Sequence, residues 1–124
     1  VFAINLISVV SGPDSRPWKA AYRTLSSVFP NVRAFVSSDP ADGLANVLLF
    51  ASAGPLKAGP PTSPGHSSRE VALMLSRELH PSAVELAEVP VLSDDHAPLD
   101  RLLAATAGRW RRLLQQAMPE VLLN

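Results

Sequence analysis

The feature that most constrains how this chain can fold is its opening run, VFAINLISVV, residues 1–10. Val1, Phe2, Ala3, Ile4, Leu6, Ile7, Val9 and Val10 are apolar, no residue is charged, and apolar and polar positions do not alternate. That pattern predicts a strand covered on both faces, as in the interior of a parallel sheet. A strand of this kind is normally central, because a long apolar edge left open invites pairing with another chain. The run is too short, and with Asn5 too polar, to span a membrane. It has no basic segment before it and no small-residue cleavage site, so it does not read as a signal peptide. The sequence opens on Val1 rather than methionine. The expectation is that residues 1–124 form a single partial domain, cut from a larger α/β domain.

Downstream, SGPDSRP is a turn-rich link. It is followed by a helix near residues 16–29, in which Trp18, Ala21, Tyr22, Leu25, Val28 and Phe29 recur at spacings of three and four. Pro17 suits its first turn and Pro30 stops it. Residues 31–38 alternate Val32, Ala34 and Val36 with Asn31, Arg33 and Phe35 and read as a strand; DPADGL is a turn, and residues 45–52 are a further apolar strand. Residues 53–65 hold three glycines and four prolines, which rules out regular structure and leaves a lid or a plain surface loop. A helix near 67–79 follows, with Ser67 and Glu70 as a capping box and Val71, Met74, Leu75 and Leu79 as its buried stripe. A last helix is expected near 97–117.

Composition narrows the function. Eleven basic residues balance eleven acidic ones, so no net field draws the chain to nucleic acid or an anionic membrane. The absence of cysteine excludes disulfides and thiolate metal sites. The cluster GRWRR carries too few basic and aromatic positions for a nucleic-acid surface, and on a helix Trp110 is expected to face the core while the arginines fan into water. His66 and His80 read as exposed, with His80 at a helix end where a cation complements the dipole. Asn5 is either a satisfied core amide or a polar group at a cleft. Ser8 and Ser11, nearer the carboxyl end of the first strand where α/β sheets bind ligands, are the better cleft candidates. Ser8 lacks the elbow pattern of a hydrolase nucleophile.

The stretch VLSDDHAPLDRLL, residues 91–103, has two readings. Ser93, Asp94 or Asp95 can cap a helix whose first turn tolerates Pro98 and whose stripe continues through Leu99, Leu102 and Leu103. Asp94, Asp95 and His96 do not make a metal site, since adjacent side chains point apart and no second ligand cluster is visible.

Two stretches, YRTLSSVFPNVRAF and LSDDHAPLDRLL, together with the order of elements, resemble the C-terminal half of the spermidine synthase-like proteins, polyamine aminopropyltransferases of the Rossmann-type methyltransferase fold. The likeness is closest to bacterial members often fused to transporter-like membrane segments. INLIS is similar to that family's fifth strand, residues 31–38 to its sixth, and ANVLLFAS to its seventh, antiparallel strand. LSDDHAPLD is similar to its closing motif, usually Thr-Asp-Asp-Tyr-x-Pro-Val-Asp/Glu, with Ser93, His96 and Leu99 departing from it. The resemblance implies an α/β fold, the C-terminal half of a Rossmann-type sheet of parallel strands with one antiparallel strand, residues 45–52 lying antiparallel between 1–10 and 31–38. It implies decarboxylated S-adenosylmethionine or S-adenosylmethionine as cofactor, a polyamine-type amine as substrate, and a cytoplasmic location, tethered or not. It makes Asp94, Asp95 and His96 a rim where a carboxylate faces a cationic substrate. The family's glycine-rich turn, acidic strand end and general-base aspartate match no position here; Gly54 and Gly59 lie in a loop that opens no helix. The isolated chain is therefore expected to be inactive and to bind no cofactor. Its expected partner is the missing N-terminal half, or a second copy at the edge of strand 1–10. The alternative is a non-catalytic packing or partner-binding module derived from that fold.

Overall fold

A computed structural model describes residues 1–57, 68–95 and 98–117. β1 (Phe2–Val9) leads through a single 3-10 turn (Pro13–Ser15) into α1 (Arg16–Val28); β2 (Asn31–Val36) and β3 (Leu44–Ser52) follow. Then come α2 (Ser68–Ser76), the two-residue β4 (Glu78–Leu79), α3 (Ala83–Ala87) and α4 (Leu99–Ala117). The strands form one sheet in the order β1-β3-β2-β4.

Every hydrogen-bonded pair in that sheet is antiparallel: β1 with β3, β3 with β2, and β2 with β4. This corrects the expected Rossmann-type sheet of parallel strands. β3 takes the position between β1 and β2, so the two strands joined through α1 run the same way without pairing, and β4 closes the far edge antiparallel. The placement of residues 45–52 antiparallel between the other two strands is as the sequence led us to expect.

α1 forms where its periodicity places it. Pro17 occupies its first turn, and the chain leaves it at Phe29, whose extended backbone (φ −112°, ψ 136°) is the conformation a residue before proline prefers. Its apolar face lies on the sheet. Trp18 and Leu25 join Ala34, Val47, Leu49 and Ala51 in the core, with Ile4, Leu6, Tyr22 and Phe29 packed around them. The register makes this one surface, since Ile4 and Ala34 both face Leu49 across the ladder, and Leu6 and Val36 both face Val47. Trp18 Nε1 donates to Val10 O at 2.9 Å, fixing the helix against the end of β1.

β1 itself departs from expectation. It lies at the edge of the sheet, and the burial on both faces expected of it is not found: Phe2 and Ile7 are 49% and 40% exposed. Only Ser8 and Val9, at its carboxyl end, are fully buried. Along the rest of the strand one face packs, with Ile4 and Leu6 against the core and the Phe2 ring stacked on Phe29 at 6.3 Å. Asn5 is exposed, so it is not a core amide.

The β2–β3 connection ends in a tight turn. Ala41 and Leu44 exchange backbone hydrogen bonds around Asp42 (φ 51°) and Gly43 (φ 74°), the left-handed pair that an Asp-Gly hairpin turn requires. α4 packs over this turn. Arg109 donates to Asp42 O at 3.0 Å and to Asp14 at 3.1 Å. Arg109 is thus the inward residue of GRWRR, while Trp110, expected in the core, is 44% exposed.

Two further expectations change. The helix foreseen over 67–79 stops at Ser76, and Glu78–Leu79 turn into β4, where Leu79 faces Ala34 across the ladder. His80 therefore follows a strand, not a helix end. Ser67 and its capping box, His66, and most of the 53–65 loop lie outside the described residues. No helix among the described residues is long and apolar enough to cross a membrane.

Candidate functional site

The hollows worth chemical attention lie at the carboxyl end of β1, where the chain turns through Gly12 into α1. Gly12 has φ 83°, a left-handed conformation that L side chains rarely adopt, and open space lies where its Cβ would be. Ser15 locks the turn, its hydroxyl donating to Gly12 O at 2.6 Å and its backbone N–H at 3.1 Å.

From there α1 carries two faces. The apolar one holds the sheet; the other displays Arg16, Lys19, Arg23 and Thr24, spaced so that they share one side of the helix. Residues 82–92 lie along this side. Lys19 Nζ meets Glu85 Oε1 at 2.9 Å. Arg16 donates to Glu88 O at 3.0 Å, Arg23 to the carbonyls of Ala87 and Val89, and Leu92 N to Thr24 Oγ1 at 2.9 Å. Val89 is the one buried hydrophobic residue of the segment, and α3 buries none of its residues. Polar contacts therefore do most of the positioning.

Glu85 has a second bond. α3 begins with a capping box in which Ser82 Oγ accepts from Glu85 N and Glu85 Oε2 accepts from Ser82 N at 2.8 Å. The Ser82 N–H, then Lys19, hold the Glu85 carboxyl down to about 2, well below the usual carboxylate range. Lys19 is a buried cation, 9% exposed, with its ammonium 5.8 Å from the Trp18 ring centre.

Two cavities flank this ion pair. One, of about 290 Å³, is lined by Gly12, Pro13, Arg16, Lys19, Glu85, Glu88 and Val89. The other, of about 200 Å³, adds Ser11, Trp18, His80 and Pro81 to Gly12, Lys19 and Glu85. Gly12, Lys19 and Glu85 line both. A third hollow, about 310 Å³ and mainly apolar, lies between Phe35, Phe50 and α2 near Arg33, whose guanidinium is already taken by Glu78.

Of the sequence-derived candidates, Asp94 and Asp95 are exposed in a turn, and His96 lies outside the described residues. Neither aspartate lines the two cavities at β1. The helix start expected there comes later: α4 begins at Leu99, with Leu102 N bonded to Pro98 O. Ser11 does line the smaller cavity, whereas Ser8 is sealed, its hydroxyl donating to Val9 O at 3.0 Å. Sequence reasoning missed Lys19, Arg16 and Glu85. The signals were present in the Ser82-x-x-Glu85 box and in cations recurring on one side of an amphipathic helix. Among the described residues no group of three or more histidines and carboxylates could hold a metal ion. In comparison with protein-family models, curated proteins and solved structures, nothing matches the chain.

Proposed function

We propose that the chain is the C-terminal part of a spermidine synthase-like transferase, one that moves an aminopropyl or methyl group from a sulfonium nucleoside to an amine. In such a transfer the amine nitrogen attacks the carbon bonded to the sulfonium. The C–S bond breaks with its electrons going to sulfur, a neutral thioether leaves, and the new ammonium sheds a proton. The observation that carries this reading is the arrangement of β1, β3 and β2. β3 lies antiparallel between two strands that run the same way and are joined through α1. The resemblance implies that order for the last three strands of the family; the reading rests on these strands and restores no parallel sheet within the chain. Asp94 and Asp95, exposed in the turn before α4, are free in position to face an amine across a cleft whose other wall comes from elsewhere. A cytoplasmic catalytic domain, tethered or not, belongs to the same reading.

The test is the polypeptide encoded ahead of Val1. A glycine-rich strand-turn-helix, an acidic strand end and an aspartate-bearing loop are expected there. The protein made with that segment is expected to consume S-adenosylmethionine or its decarboxylated form in the presence of an amine, and the 124-residue chain alone to bind neither. A protein lacking that segment, or inactive with it on both cofactors, overturns the reading.

A second reading, a non-catalytic partner-binding module, is favoured by the open side of β1. Among the described residues that edge has no strand beside it, and FAINLISV contains no charge or proline to discourage pairing. A preceding segment of the same protein or a second copy of the chain would fit that edge.

A further inference from the structure

We propose that Lys19 is an oxyanion-binding lysine, and that Glu85 is an internal carboxylate occupying its site until a ligand carboxylate or phosphate displaces it. The inference goes beyond the transferase reading and does not depend on it.

Three observations carry it. Lys19 is buried, yet it lines both cavities at the carboxyl end of β1. Its carboxylate partner comes from a different element, α3, which is five residues long and buries no side chain. The side chain of Glu85 is 45% exposed against 11% for Lys19, so the carboxylate is the half of the pair with room to leave. Moving it frees the ammonium beside cavities that Gly12 and Lys19 both line, with no side chain at Gly12 and with Arg16 lining the larger one.

The chemistry selects a small oxyanion. A lysine ammonium is a compact charge with three donors, suited to one carboxylate or phosphate oxygen rather than to a planar fork. Glu85 already shows that a carboxylate oxygen fits at 2.9 Å. A tethered carboxylate competes at high effective concentration, so the site is weak while Glu85 stays in place. Its capping bond to the Ser82 N–H gives that carboxylate a second place to rest once Lys19 is taken.

The experiment is a nuclear magnetic resonance titration of the full chain with inorganic phosphate and, separately, acetate, at constant ionic strength set with chloride. Glu85→Gln keeps a side-chain oxygen for the capping box and removes the competing charge. Saturation of the shifts at Gly12, Arg16 and Lys19 is expected at about tenfold lower anion concentration in Glu85→Gln than in the unmodified chain. Adding Lys19→Met should abolish it. The stronger of the two anions identifies the ligand group. In the unmodified chain the Glu85 carboxyl carbon should shift with the same midpoint as Lys19, a readout that does not rely on any variant folding. Equal midpoints with and without Glu85, binding that survives Lys19→Met, or no response beyond chloride would each overturn the proposal.

Discussion

Arg33 on β2 and Glu78 on β4 form a two-pronged ion pair, Nε to Oε1 at 2.7 Å and Nη2 to Oε2 at 2.8 Å. It fastens the shortest strand of the sheet. β4 pairs through two residues only, and the fork lies one rung from Ala34 and Leu79, with Arg33 also set over the Phe35 ring at 5.0 Å. The hydrogen bonds from Arg33 hold the Glu78 carboxyl below its ordinary range, against a smaller opposing effect of burial.

Glu78→Gln is therefore expected to destabilise the chain by about 1 kcal/mol, in the range of a part-exposed bidentate pair. The pH dependence has a definite sign. Because Glu78 is more acidic folded than unfolded, its contribution is complete above the ordinary carboxylate value near ~4.3 and fades as pH falls through the depressed one. Urea midpoints of the two proteins should differ at pH 7 and converge in acid. A difference that grows on acidification would contradict the pairing.

How much of this could be read in advance follows from which interactions are local. α1 was legible because its stripe, its Pro17 start and its Pro30 stop all lie within fifteen residues of sequence. The hairpin turn was legible from Asp42-Gly43. The burial of β1 was not: an apolar run without alternation looks the same whether one face or both are covered, and β1 leaves Phe2, Asn5 and Ile7 exposed. β4 was hidden for a similar reason, since Glu78 and Leu79 continue the α2 periodicity and become a strand through pairing with β2, more than forty residues earlier. Lys19 was overlooked because its partner, Glu85, is 66 residues away.

The edge of β1 makes a prediction at single-residue resolution. Val10 N bonds to Gly43 O, which continues the β1–β3 register, so alternation points the amides of Ser8, Leu6 and Ile4 toward β3 and those of Ala3, Asn5 and Ile7 outward. In the monomeric chain, hydrogen exchange should be fast at Ala3, Asn5 and Ile7 and slow at Ile4, Leu6 and Ser8. Equal protection of both sets, lost on dilution, would mean that a second copy covers the edge.

Gly43 is constrained twice. Its φ of 74° disfavours any side chain, and a Cβ built there would sit 2.7 Å from Arg109 Nη1. Gly43→Ala is expected to cost about 1–3 kcal/mol through backbone strain and displacement of the guanidinium. Gly12→Ala shares the positive φ but meets open space. With ψ −172° Gly12 lies in an extended positive-φ region essentially confined to glycine, so this change too should cost about 1–3 kcal/mol, by strain alone. Thermal denaturation checks both variants, and a loss for Gly43→Ala that is the same with and without Arg109→Ala would remove Arg109 from the account.

Asp94 and Asp95 decide between a structural and a substrate-facing role for the turn before α4. Both are exposed, and α4 begins at Leu99, so neither sits at the position that caps it. Asp94→Asn and Asp95→Asn should each change the stability of the chain by less than ~0.5 kcal/mol, the usual range for surface substitutions. On the proposed transferase reading, in the protein with its preceding segment, the same changes should raise KM for the amine about tenfold with kcat nearly unchanged, because a lost charge-assisted contact to a bound ammonium weakens ground and transition states alike. The amine's pH profile separates this from a general loss of fit, since the effect should vanish where the amine is uncharged. Unchanged KM in both variants would take Asp94 and Asp95 out of the substrate site. A stability loss well above ~1 kcal/mol would instead make one of them a structural residue of the turn.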